Sequence, residues 1–227
     1  MPNKNHLEEA TKTAGSVGHE LNNLLTVINI NTEFLLATAG SDPTSEEELR
    51  EIQRAAHRAS ILARRLLASS RLEPFDPELV KSLKRRTPPH GTVKGKAAAG
   101  RERVTETVLL VEDEAGLRGL VARVLTQRGY RVLEAADGAI ALRLAAGHVG
   151  DINLVLTDID MPNLGGRGMV EELKELSPDL NVLFMSGHPK AQVFPEPALA
   201  NQMPYLQKPF TGETLCDEVR SALGYVS

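Results

Sequence analysis

Three carboxylates stand directly behind short apolar runs of this chain. Glu112 and Asp113 follow residues 108–111, and Asp158 follows residues 152–157. Ser186 and Lys208 close two further runs, at 181–185 and 205–206. If these runs are neighbouring strands, all five polar groups share one rim. Carboxylates gathered this closely repel one another unless a cation sits among them, and an all-oxygen donor set suits a hard divalent ion, Mg²⁺ first. A carboxylate nucleophile, a divalent cation, a hydroxyl donor and an ammonium together fit phosphoryl transfer, in which the protein mainly positions groups and neutralises charge. Asp158 would attack and form an acyl phosphate. Glu112 and Asp113 would hold Mg²⁺, Lys208 would pair with the phosphoryl group, and Ser186 would hydrogen-bond another of its oxygens. Any one Asp at a strand end is more often a turn or cap residue. Five suitable groups at successive strand ends are not expected by coincidence.

The elements that must position this rim can be read from the pattern after Thr107. Apolar runs at Val108–Val111, Arg131–Glu134, Ile152–Thr157, Asn181–Met185 and Tyr205–Leu206 alternate with helical stretches at Leu117–Arg128, Gly138–Ala146, Gly166–Leu176, about Pro189–Ala200, and Gly212–Leu223. The runs at Val108 and Ile152 are almost continuously apolar, as in strands covered on both faces of a parallel sheet. This predicts a doubly wound α/β domain with its ligands at the carboxyl ends of the central strands.

The N-terminal part reads differently. From about Leu7 to Ala39 there is no proline, and Val17, Leu21, Leu24, Ile28 and Leu35 fall within about 60° of one another in helical projection, with His19 roughly opposite. This predicts one long amphipathic helix with His19 facing solvent. Residues 41–45 break it, and Thr44 or Ser45 caps a second helix whose first turn holds Glu46, Glu47 and Glu48, where the helix dipole favours acids. That helix continues through Ile52, Ala56, Ala59, Ala63, Leu66 and Ser70. A lone hairpin leaves one side of its seam open, so dimerisation into a four-helix bundle is expected. The domain reading is a helical hairpin over 1–72, a basic Pro/Gly-rich linker over 73–106, and an α/β domain over 107–227. Residues 75–83 could add a turn or two of helix within the linker.

Composition limits the alternatives. Of 227 residues, 41% are hydrophobic and 25% charged, close to the globular average, so wholesale disorder is excluded. The chain has no Trp, which predicts an aliphatic core and argues against base stacking on aromatics. The net charge of −4 supports neither a nucleic-acid binder nor a membrane-surface protein. Eight Lys or Arg lie between Lys81 and Arg103 against the single acid Glu102, and this stretch reads as a solvated tether. Cys216 stands alone and reads as a core thiol in a reducing compartment. With no secretory signal and no long apolar run, the expectation is a cytoplasmic protein without membrane or nucleic-acid partners.

Residues 107–226 resemble a response-regulator receiver domain of two-component signalling. The motifs that carry the likeness are VLLVEDE at 108–114, LTDIDMP at 156–162, FMSG at 184–187 and LQKPF at 206–210. The resemblance implies a flavodoxin-like sheet of five parallel strands in the order 2-1-3-4-5. It also implies a metal ligand from the backbone carbonyl of Asp160, Tyr205 as the switch aromatic acting with Ser186, and a cis bond between Lys208 and Pro209. Glu112 replaces the commoner aspartate and keeps the charge. His188 reads as a surface residue.

Residues 8–72 resemble the dimerisation and phosphoacceptor hairpin of histidine kinases, through Gly18-His19-Glu20-Leu21-Asn22-Asn23-Leu24-Leu25. Carried over by position, His19 is the phosphorylated imidazole, Glu20 the acid that accepts its proton, and Asn23 a residue that positions attacking water. The four-residue spacing puts His19 and Asn23 on one face. The ATP-binding domain that normally follows cannot fit between Leu72 and Thr107, so the chain resembles a hybrid histidine kinase without its catalytic module, and no autonomous kinase activity is expected. The leading expectation is a phosphorelay protein in which Asp158 accepts a phosphoryl group from phosphohistidine and can exchange it with His19. Its partners would be a histidine kinase or a histidine phosphotransfer protein, and a second copy of the chain. A dimeric docking module or phosphate sink with His19 silent stands beside it, as does a hybrid sensor histidine kinase.

Overall fold

The computed structural model describes residues 4–38, 43–69, 106–162 and 164–225. The linker reading at 73–105 and the short helix expected at 75–83 lie outside them.

Two helices open the chain, α1 (Lys4–Thr38) and α2 (Pro43–Ser69). The second begins at Pro43, ahead of the expected Thr44 or Ser45. Proline suits a first helical position, where its missing N–H has no intrahelical partner to lose and its φ is already helical. The α/β domain follows as β1 (Thr107–Val111), α3 (Ala115–Gln127), β2 (Arg131–Ala135), α4 (Gly138–Gly147), β3 (Ile152–Asp158), α5 (Gly166–Leu176), β4 (Asn181–Ser186), α6 (Lys190–Val193), α7 (Pro197–Ala200), β5 (Tyr205–Gln207) and α8 (Gly212–Ala222). The sheet is wholly parallel in the order β2-β1-β3-β4-β5. One expected element differs. The helix predicted over Pro189–Ala200 is two four-residue turns, because Pro195 and Pro197 lack the N–H that a continuous helix needs there.

Side chains alternate across each strand, so one apolar layer forms on either face of the sheet. Leu109, Val111 and Val155 pack with Met169, Val170 and Phe194 on one side. Val108, Leu110, Leu154 and Leu156 pack with Leu117, Val121 and Leu215 on the other. Cys216 is buried in that second layer.

Ile30 of α1, 1% exposed, belongs to the same cluster, so the hairpin is docked on the receiver-like domain through a shared core. Helix α1 therefore has three separate faces in projection. One packs on α2 through Leu25, against Ala56 and Ala63. One meets the α/β domain through His19, Asn23, Ile30, Glu33 and Phe34. The third carries the predicted apolar stripe: Val17, Leu24, Ile28 and Leu35 remain exposed, the open side of the seam expected of a lone hairpin.

Candidate functional site

The strand ends converge on Lys208. It directly follows β5, its backbone N–H donates to the Ser186 carbonyl of the neighbouring strand β4 at 2.8 Å, and the Lys208–Pro209 bond is cis. Its fully buried ammonium donates to Asp158 Oδ2 at 2.6 Å, Glu112 Oε2 at 2.8 Å and Asn23 Oδ1 at 2.9 Å. An ammonium has three protons, and all three are used. Asp158, the last residue of β3, is fully buried, and its Oδ1 accepts from the Asp160 N–H at 2.9 Å. Helix α5 approaches this strand end closely because residue 166 is glycine: a Cβ there would collide with the Asp158 carbonyl and Thr157 Oγ1.

Burial would push the Asp158 carboxyl up, but the Lys208 charge, with His19 and the two hydrogen bonds, holds it below its usual range. Glu112 goes the other way. Burial, aided by the charges of Asp158 and Asp113 and opposed by Lys208, raises it to about 8. The pocket is therefore short of positive charge even with its lysine. Carboxylate oxygens of Glu112, Asp113 and Asp158 lie within 4.8 Å of one another, a hard all-oxygen set that fits Mg²⁺.

Asp160 does more than the sequence suggested. Its Oδ2 accepts from Ser186 Oγ at 2.8 Å, and its carboxylate lies 3.9 Å from His188 Nε2 and 3.8 Å from His19 Nδ1. Burial and the Asp158 charge raise its pKa, against His188, Ser186 and His19. Tyr205 is buried, and its hydroxyl donates to the His188 carbonyl at 2.5 Å. Burial pushes that phenol up. His188, read from the sequence as a surface residue, is buried, with its backbone N–H on Ser186 Oγ at 3.1 Å and Nδ1 3.3 Å from Gln192 Oε1. The close succession of Ser186 and His188 was the available signal, because a strand-end turn can fold the second residue back over the first.

His19 is the second correction. It does not face solvent: its side chain is 21% exposed, and Nε2 lies 3.9 Å from Asp158 Oδ2. Asn23 shares its face, as the spacing predicts, and its Nδ2 is 3.1 Å from His19 Nε2. Glu20 is exposed, and among the described residues it makes no hydrogen bond or ion pair with His19. The structure thus brings together His19, Asn23, Glu112, Asp113, Asp158, Asp160, Ser186, Tyr205 and Lys208, and leaves Glu20 outside. Asn22, one residue from Asn23 and fully buried, places Nδ2 3.5 Å from the Gly187 carbonyl, so the hairpin also touches the turn after β4.

Residues 108–220 match the response regulator receiver domain family, and residues 10–75 match the His Kinase A (phospho-acceptor) domain family. The sensor kinase CckA of Brucella abortus is 37% identical over 123 residues, 52% of this chain and 12% of that protein. Sporulation initiation phosphotransferase F of Bacillus subtilis is 27% identical over 120 residues, 53% of this chain and 95% of that protein. Among solved structures, the receiver domain of the hybrid histidine kinase CckA is 35% identical, with 52% of this chain and 98% of that chain covered and a TM-score of 0.43. The chain belongs to the two-component signalling proteins, with a histidine-kinase phosphoacceptor hairpin followed by a response-regulator receiver domain.

Proposed function

We propose that the chain is a phosphorelay protein in which Asp158 accepts a phosphoryl group from phosphohistidine, with His19 of the same chain able to act as the other station. The observation that carries this reading is the 3.9 Å separation of His19 Nε2 and Asp158 Oδ2. A phosphorus on the line between them would lie about 2 Å from each, the spacing of an in-line transfer. Lys208 donates to the attacking Asp158 oxygen, and its contacts hold Asp158 ionised and therefore nucleophilic. Ser186 is placed to donate to a phosphoryl oxygen once it turns from Asp160. Glu112, Asp113, Asp158 and the Asp160 carbonyl would hold Mg²⁺, which when bound neutralises charge on the phosphoryl oxygens.

The phosphoryl group enters from a separate histidine kinase or phosphotransfer protein, and the hairpin pairs with a second copy of the chain through its exposed apolar face. The domain bounds we adopt are 1–72, 73–106 and 107–227. No helix among the described residues is long and apolar enough to cross a membrane, and we place the protein in the cytoplasm.

Intact mass after incubation with acetyl phosphate and Mg²⁺ tests the acceptor. One phosphoryl adduct is expected in wild type and in His19→Ala, and none in Asp158→Ala. An adduct that survives Asp158→Ala but not His19→Ala would make the protein a histidine carrier instead.

A further inference from the structure

The contacts around Asn23 fix the proton on His19. The Lys208 ammonium can only donate, so the atom of Asn23 facing it is the amide oxygen. The other end of that amide, Nδ2, can only donate, and it faces His19 Nε2 at 3.1 Å. Nε2 must therefore carry a lone pair, and in the neutral ring the proton sits on Nδ1. That atom is buried and has no hydrogen-bond partner among the described residues. The carboxylate it faces is Asp160 Oδ2, 3.8 Å away, on the receiver domain.

We propose that the side chain of Asp160, in place of Glu20, orients the His19 imidazole by accepting a hydrogen bond from Nδ1–H, which aims Nε2 at Asp158. The assignment rests on the phosphorelay reading above and deepens it. The remaining gap of 3.8 Å is one that closes when the phosphorylated group is seated, since hydrogen bonds of this kind tighten in the reacting complex. Transfer from phosphorylated His19 then balances as follows. The Nε2–P bond breaks, with its electron pair returning to Nε2, and the phosphorus bonds to Asp158 Oδ2. The proton stays on Nδ1, so the leaving group is a neutral imidazole instead of an imidazolate. A carboxylate beside Nδ1–H keeps that proton in place through the step. Asp160 is thus a positioning residue supplied by the receiver to the hairpin, and it couples His19 to Ser186, whose hydroxyl bonds the same oxygen.

Asp160→Asn tests this, because it keeps an oxygen for Ser186 and removes the charge. His19 is loaded with phosphoramidate in the presence of a chelator, the donor is removed, and Mg²⁺ starts single-turnover transfer, followed through the differing acid and base lability of the two adducts. Labelling of Asp158 by acetyl phosphate is measured in parallel. Asp160→Asn is expected to slow transfer at least tenfold more than it slows acetyl phosphate labelling. In the ¹⁵N spectrum the His19 ring is expected to be pyrrole-like at Nδ1 and pyridine-like at Nε2 in wild type, as Asn23 dictates, and the Nδ1–H proton is expected to lose the downfield shift of a carboxylate-bound imidazole in Asp160→Asn. Equal slowing of both reactions, or transfer that falls with Glu20→Gln but not with Asp160→Asn, overturns the assignment. If wild type transfers nothing, the phosphorelay reading fails first and the assignment fails with it.

Discussion

Lys208 holds two buried carboxyl groups, of which Asp158 is ionised, and an amide from three separate segments on one fully buried nitrogen. Removing one partner of a buried ion pair leaves an uncompensated charge, so Lys208→Met should lower stability by about 3–5 kcal/mol in urea unfolding at neutral pH. A loss below about 1 kcal/mol would show that water reaches the pocket. Glu112 gives a prediction of opposite sense. Its folded carboxyl, raised to about 8, holds a proton more tightly than the unfolded chain does near 4.5. Stability should therefore fall as pH rises through that window, by at most about 1.4 kcal/mol per pH unit. Glu112→Gln should flatten the wild-type slope between about pH 5 and pH 8, measured by urea unfolding without Mg²⁺. At this scale the receiver set was legible because each member sits at a strand end, and strand ends can be read from apolar runs. The side-chain role of Asp160 was not. Only the backbone of that position was assigned a task, and the direction of a loop carboxylate depends on which helix covers it.

Helix α1 shows how far periodicity carries. A 3.6-residue pattern identifies an apolar stripe, and it placed Val17, Leu21, Leu24, Ile28 and Leu35 together correctly. It does not say which neighbour each face will meet. The polar face with His19 and Asn23 seemed bound for solvent, yet it covers the strand ends of a domain a linker away in sequence. Similarly, Pro195 and Pro197 were visible breakers inside a stretch read as one helix. The contact between elements rests in part on Glu33, whose Oε2 accepts from the Gly212 N–H at 2.7 Å at the start of α8, and on Phe34, whose ring lies 4.7 Å beneath the Arg123 guanidinium. Burial raises the Glu33 carboxyl despite the Gly212 and Thr211 bonds. Glu33→Gln keeps an acceptor and removes that penalty, so the Gly212 amide should be at least as protected from hydrogen exchange as in wild type. Glu33→Ala should expose it, at a cost to docking of about 1–3 kcal/mol. Gly166→Ala should cost the receiver about 1–3 kcal/mol or more in thermal unfolding, since the collision is with backbone at Asp158.

In the whole molecule one surface is used and one is left over. The hairpin spends one face of α1 on the receiver and still presents Val17, Leu24, Ile28 and Leu35, with Ile52 and Leu66 of α2, to solvent. An apolar stripe along two helices is the kind of surface that a four-helix bundle buries in its seam. Sedimentation should show a dimer for wild type and a monomer for Leu24→Glu combined with Ile28→Glu, while a wild-type monomer at high concentration would remove the bundle. Fold class was readable from alternation, and sheet order came with the resemblance to receiver domains, but the docking of the two parts was not readable, because no local pattern records a contact across a linker. That docking is what puts His19 within reach of Asp158. The measurement that bears on it most directly is transfer within one chain: load His19 with phosphoramidate under a chelator, desalt, add Mg²⁺, and follow the label. An acid-labile adduct that converts to a base-labile one on Asp158, at a rate independent of protein concentration, is the predicted result. Label that stays on His19 while acetyl phosphate still modifies Asp158 would contradict the account.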